Sequence, residues 1–342
     1  MKKGKHRHRH KIRKKVNNRR NTICHIKIAL PKILDFLTSH NETSTFFTTL
    51  HNAILGGWRN KITLNFSLLE FVSPSAALVL ASELDFWRNA RHAKIRMISE
   101  QWNEQPKLML GELGLFDLLR VINPPPTISL VTSERLTIKF KTGAESPGEI
   151  PNNDQAINLE DELVNVAGEF PGKEDLFSGI TEAMNNVRSH AYPDRKKNAK
   201  KISHYIYNRW WMTGSFDIKT RNLTIIFYDQ GVGIPNTIEK QTGRSFLAGL
   251  ITKFSTIDTD AFRIRAAVEY GRTSTAQKER GKGLMDIRRV ADTAGDAKLF
   301  IVSGRGLYSY LPNIEENDIN KEGRLQGTLI QWEISLPMPQ GD

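Results

Sequence analysis

Residues 223–235, Leu-Thr-Ile-Ile-Phe-Tyr-Asp-Gln-Gly-Val-Gly-Ile-Pro, carry a β-prone run straight into Asp229 and two spaced glycines, Gly231 and Gly233. Branched and aromatic residues bounded by an Asp-x-Gly-x-Gly turn predict a strand over about Leu223 to Tyr228. A carboxylate at a strand end can accept a hydrogen bond from an amino group on a purine. The two glycines let backbone approach the base and the ribose closely.

Three other segments belong with this one. Upstream, the stretch EAMNNVRSHAY predicts part of a helix over about Phe177 to Ala191. Glu182, Asn186 and His190 are spaced four apart and share one face of it. The Asn186 amide oxygen is a hard donor suited to Mg²⁺, which keeps several waters and takes few protein ligands. Glu182 can accept a proton from an attacking water. His190 can touch a phosphate or serve as packing.

Downstream, Gly281-Lys282-Gly283-Leu284 opens a helix running to about Ala294. Helix-start N–H groups and the helix dipole favour phosphate there. Finally, Gly327 and Thr328 lead into the closing strand, Thr328 to Leu336, where a threonine can reach the base through water. Each piece alone is commonplace, whereas the four in this order define a site for a purine triphosphate.

These segments resemble the motifs of the GHKL superfamily, which joins gyrase, a heat-shock chaperone, histidine kinases and MutL. The resemblance covers roughly residues 160–338. It implies the Bergerat fold, an α/β (α+β) two-layer sandwich with a mixed sheet, holding ATP and Mg²⁺. It further implies that Asp229 holds adenine, Asn186 binds the metal and Glu182 is the general base. On the same resemblance, Pro235 to Arg280 is a long irregular ATP lid. Its Lys240, Arg244, Lys253, Arg263, Arg265, Arg272, Lys278 and Arg280 are candidates to reach the γ-phosphate. One departure is Met285, which stands where the family has a third glycine.

Ahead of this lies a smaller α/β unit over residues 23–141. Strands are predicted at Ile26–Leu30, Lys61–Phe66 and Ala93–Met97. Helices are predicted at Ser75–Asn89 and at Lys107–Leu119, the latter broken near Gly111 or Gly114. Ser73 before Pro74 gives a capping side chain and a proline at the first helical position. The run KITLNFSLLEFVSPSAALVLASEL, with GELGLFDLL further on, is similar to STAS domains of anti-sigma antagonists. Ser75 matches the phosphorylated position of that family, and it can equally serve helix capping with Ser73. Residues 142–158, rich in Gly, Pro, Asn and acidic groups, are predicted to be a linker to the ATP-binding domain at 159–342.

Charge resolves to one end. The chain of 342 residues has a net charge of +12, but residues 1–20 hold eleven Lys or Arg and no acid, leaving +1 for the other 322. Residues 1–22 therefore read as a disordered basic tail around a near-neutral body. The tail can contact nucleic acid through phosphates, or bind a metal loosely through His6, His8 and His10. A single cysteine, Cys24, excludes an internal disulfide. No apolar run approaches the ~20 residues of a membrane span, and a cytoplasmic location without membrane contact is expected.

Three functions are compatible with these features. The first is a Mg²⁺-dependent ATP-binding protein, a slow ATPase working as a conformational regulatory switch. The second is a serine protein kinase of the anti-sigma type acting on a STAS-type partner. The third is an interaction or nucleic-acid-binding protein using the basic tail. A homodimer is compatible with all three.

Overall fold

A computed structural model describes residues 25–55, 61–91, 95–98, 102–118, 135–144, 161–165, 167–193, 205–254, 256–273, 283–294, 296–312 and 317–337. The basic tail, Ser274–Lys282 and the greater part of the expected linker lie outside these residues.

The centre of the molecule is a five-stranded sheet. Its strands are β6 (Arg135–Ala144), β7 (Arg209–Asp217), β8 (Asn222–Asp229), β9 (Asp296–Tyr310) and β10 (Asn317–Ser335), in the order β6-β7-β8-β10-β9. Every neighbouring pair is antiparallel. This corrects the expected mixed sheet. β8 and β9 run the same way, but β10 returns between them, so no parallel pair forms. The closing strand also starts earlier than the expected Thr328, because β9 and β10 form one extended hairpin with register shifts between Asn320 and Leu325 and between Leu325 and Thr328.

Alternation along β8 explains why its sequence is nearly all apolar. Leu223, Ile225 and Phe227 point into one core, and Ile226 and Tyr228 point into another on the opposite face. A strand buried on both faces has no polar side to show in its sequence. The first core lies under α5 (Lys173–Asn186), which continues as a π-turn over Val187–Ala191, and under α9 (Gly283–Thr293). Gly179 allows these two helices to close up, since a Cβ there would come within 2.9 Å of Val290 Cγ2. Trp332 crosses from the sheet and donates to Ile287 O on α9 at 2.8 Å.

The second core is built by the N-terminal unit. There β1 (His25–Ala29), β3 (Lys61–Asn65) and β5 (Ile95–Ile98) make a parallel sheet in the order β1-β3-β5, while β2 (Ile33–Leu34) pairs with β4 (Phe71–Val72). The helices α1 (His40–Leu55) and α2 (Pro74–Arg91) cover the opposite face of the central sheet. Val79, Leu80 and Leu84 of α2 share one core with Trp211, Ile226, Tyr228 and Val302. Ser73 caps α2, its hydroxyl accepting from Ala76 N at 3.3 Å. The second expected helix is two pieces, α3 (Glu104–Glu112) and α4 (Leu115–Leu118), broken at Gly114 with φ +85°.

Three expectations about organisation therefore change. β6 crosses the boundary at 141–142 and supplies the edge strand of the C-terminal sheet, because its backbone pairs with β7. The two units share a core instead of meeting only through a linker. Finally, much of the stretch Pro235 to Arg280 is ordered helix and not irregular. It forms α6 (Ile238–Thr242), α7 (Arg244–Phe254) and α8 (Asp260–Thr273), held by Phe262, Ala266, Leu247 and Leu250 in a core of their own. Among the described residues, no helix is long and apolar enough to cross a membrane.

Candidate functional site

A cleft open to solvent lies between the π-turn after α5, the end of β8, the start of α9 and β10. It is lined among others by Asn186, His190, Asp229, Gly233, Leu284 and Thr328, and encloses about 530 Å³ with its mouth included. Four separate stretches of chain thus converge on one space. Gly281 and Lys282 lie outside the described residues, while Gly283 begins α9 at the cleft edge.

Asp229 is the deepest charged group here, 6% exposed. Burial lifts its pKa to about 7, against the opposing pull of the Gly231 N–H and the Thr328 hydroxyl. Gly231 N donates to Asp229 Oδ1 at 2.7 Å. Thr328 stands directly opposite Asp229 in the β8–β10 ladder.

Two glycines make this corner sterically feasible. At Gly327, φ is +82°, and a Cβ would lie 1.8 Å from Asp229 O. At Gly231, a Cβ would lie 2.5 Å from Ala191 O, the same carbonyl that accepts from Val232 N at 2.9 Å. The loop after β8 is therefore pressed against the end of the π-turn.

Ser303 on β9 completes the corner and was not visible as a site residue in the sequence. Its hydroxyl accepts from Ile234 N at 3.0 Å, donates to Gly327 O at 2.8 Å and lies 3.2 Å from Thr328 Oγ1. The Ser303 proton is used on Gly327, so Thr328 has one proton for either Ser303 or Asp229. The available signal was a lone hydroxyl residue in the apolar run LFIVSG.

The helix residues divide. Asn186 and His190 both line the cleft, although the π-turn between them replaces the regular four-residue repeat. Such turns recur at functional sites because they re-aim side chains. His190 is solvent-exposed at the cleft mouth, and partial desolvation lowers its pKa. Glu182 is not part of the lining. It sits a turn earlier, where burial raises its pKa, Asn185 opposes the rise and Asp286 of α9 adds to it.

The basic residues of the expected lid are partly committed elsewhere. Arg263 is clamped by Asp258 at 2.6 Å and donates to Pro235 O at 2.9 Å. Arg244 pairs with Glu239 at 2.6 Å. Arg265 lies over the Phe254 ring. Lys278 and Arg280 fall outside the described residues, as does the side chain of Arg272.

The donor set fits an adenine nucleotide. It offers a buried carboxylate acceptor, a threonine hydroxyl beside it, close backbone at Gly233, and apolar walls from Phe227, Ile234 and Leu284, while Gly231 packs against Ala191 outside the lining. It fits Mg²⁺ only as part of such a ligand. Among the described residues no group of three or more His, Cys, Asp or Glu could hold an ion, so Asn186 would share the metal with phosphates and water. Searches against protein-family models, curated proteins and solved structures return no match for this chain.

Proposed function

We propose that this cleft binds an adenine nucleotide with Mg²⁺, and that the protein is a slow ATPase whose nucleotide state is read by its N-terminal unit. The observation that carries this reading is Asp229: a carboxylate buried at a strand end, facing a cleft, with Thr328 opposite and glycine backbone on either side. A carboxylate of this kind selects an amino-bearing purine through its acceptor oxygens, and burial strengthens that bond.

Bound Mg-nucleotide would supply an electrophilic phosphorus and a polarising cation. The protein's own parts divide the remaining work. Asn186 offers its amide oxygen to the metal, and the start of α9 offers N–H groups to phosphate. Glu182, with its raised pKa and its place one turn before Asn186, is the group to accept a proton from water. His190 at the mouth is placed to meet a phosphate oxygen.

The N-terminal unit, similar to STAS domains in its sequence, covers the other face of the same sheet and is the natural reader of the site. Ser75 is not the phosphate acceptor in this scheme, since it is 1% exposed and bonded to Ser73. Calorimetric titration of the full chain with ADP and ATP, with and without Mg²⁺, tests the reading. Saturable binding that Asp229→Asn abolishes is expected. No heat from folded wild-type protein overturns it.

A further inference from the structure

The turn at the heart of the cleft is also held from behind. Gln230 directly follows Asp229, but its side chain points away from the cleft and is 3% exposed. Its Nε2 donates to Glu83 Oε1 on α2 at 3.0 Å, across the boundary between the two units. Its Oε1 is buried and accepts no hydrogen bond from any described residue. Glu83 is thus the one side-chain anchor of Gln230 among the described residues.

Glu83 is 2% exposed and is itself gripped by His51 of α1, whose Nδ1 lies 3.2 Å from Oε2. A second amide supports the same turn, with Gln326 Nε2 donating to Gly231 O at 2.6 Å. Beside these supports lies a pocket open to solvent, about 540 Å³ with its mouth included and lined by His51, Glu83, Arg324 and Gln326 among others.

From this arrangement we infer that Glu83 is a positioning residue for the nucleotide site, acting through Gln230. The inference rests on the nucleotide reading of the cleft. A buried carboxylate that accepts from both His51 and Gln230 makes charge-assisted bonds, the stronger kind. It fixes the Asp229-Gln230-Gly231 turn before any ligand arrives, and preorganisation of this kind raises affinity by removing ordering costs. The bond works in both directions. A nucleotide that tightens the turn from the front tightens α2 and α1 from behind, which is how the N-terminal unit reads occupancy.

Asp85, two residues along α2, provides the internal comparison. It is also a buried interface carboxylate, but it is bonded to Tyr205 at 2.7 Å and to Trp211 at 3.3 Å, not to the turn. A merely structural role would make the two carboxylates equivalent.

The test measures ADP·Mg affinity by calorimetry on the full chain. Glu83→Ala and Gln230→Ala should each weaken binding about tenfold, the worth of one charge-assisted hydrogen bond. The double variant should be no weaker than either, because both remove the same link. Glu83→Gln, which keeps an acceptor for Gln230 but not its charge, should lose less than Glu83→Ala, and Asp85→Ala should stay near wild type. Equal losses at Glu83 and Asp85, additive losses in the double variant, or no loss at Glu83 overturn the inference.

Should Glu83→Ala not fold, hydrogen exchange on the wild type decides. ADP·Mg should slow amide exchange in α2, which contributes nothing to the cleft lining, and unchanged exchange there overturns the inference. A wild type that binds no ADP·Mg defeats the nucleotide reading itself. A wild type that binds while the Glu83 arms fail defeats only the link.

Discussion

Asp229 at the end of β8 and Thr328 on β10 are direct cross-strand partners, and the threonine hydroxyl meets a carboxylate that burial has raised to about 7. The unfolded value is 3.8. Between these two values the folded chain binds a proton that the unfolded chain does not. The stability this group contributes is therefore complete below about pH 4 and is lost as pH rises through 7. Asp229→Asn cannot ionise and still accepts from Gly231. It should be more stable than wild type above pH 8, by on the order of 4 kcal/mol, and nearly equal to it at pH 4. Urea unfolding at both pH values measures this, and parallel curves would refute it. The same variant should lose nucleotide binding, which trades function against stability.

The same titration should appear in ligand affinity. Only ionised Asp229 offers two acceptor oxygens to an amino group. Adenosine, which has no phosphate to titrate, should therefore bind about tenfold more weakly for each pH unit below 7. Affinity should be flat above pH 8. A pH-independent affinity would mean that Asp229 does not contact the base.

Which parts of this were legible in the sequence follows from where each constraint resides. β8, α2, α5 and α9 carry their own periodicity and punctuation, and Asp229, Asn186, Leu284 and Thr328 came together as their spacing implied. α1 was missed because HNETSTFFTTLHNAIL is rich in residues of weak helix propensity. It is a helix through the burial of Phe46, Phe47, Leu50 and Ile54. β6 was missed because an edge strand needs a partner that lies some 70 residues on. The role of Gln230 could not be seen at all, since its partner Glu83 is 147 positions away. Local pattern reports local structure, whereas the bracing of the site is wholly long-range.

Two glycines with nearly the same φ separate strain from collision. Gly327 has φ +82° with a prospective Cβ 1.8 Å from Asp229 O, and Gly243 has φ +83° with nothing within 4 Å. Alanine at 243 should cost roughly 1–3 kcal/mol, the backbone penalty alone, because Gly243 at φ 83° and ψ 157° sits in a region essentially confined to glycine. Alanine at 327 adds displacement of the Asp229 backbone and should cost at least about 3 kcal/mol, with loss of the cleft. Chemical denaturation of both variants measures the difference, and equal costs would show that the corner is not tightly packed.

The His51–Glu83 pair should give the interface a pH dependence of its own. Burial pulls the imidazole pKa down, but the hydrogen bond and charge of Glu83 outweigh it and leave the pKa raised above 6.5. Stability from this pair is full below pH 6.5 and fades as pH rises through the folded value. His51→Gln should flatten that part of the stability profile and leave the Asp229 part intact. A His51→Gln profile that still falls in the same way would assign the dependence elsewhere.

The last prediction separates a shared core from two independent domains. Removal of the N-terminal unit, leaving residues 135–342, would expose Trp211, Ile226, Tyr228, Val302, Leu325 and Leu329, all at most 2% exposed in the intact chain. At roughly 1.5–3 kcal/mol for each large apolar side chain, the loss is on the order of 10 kcal/mol. That equals the whole stability of a typical domain, about 5–15 kcal/mol. The fragment should therefore be insoluble or lack cooperative unfolding, although it holds every residue that lines the cleft. Co-expression with residues 1–134 should restore solubility by covering the exposed face of the sheet. A fragment that unfolds cooperatively by itself and binds nucleotide with wild-type affinity would show that the N-terminal unit is an accessory, and that neither α1 nor α2 is needed to hold the site.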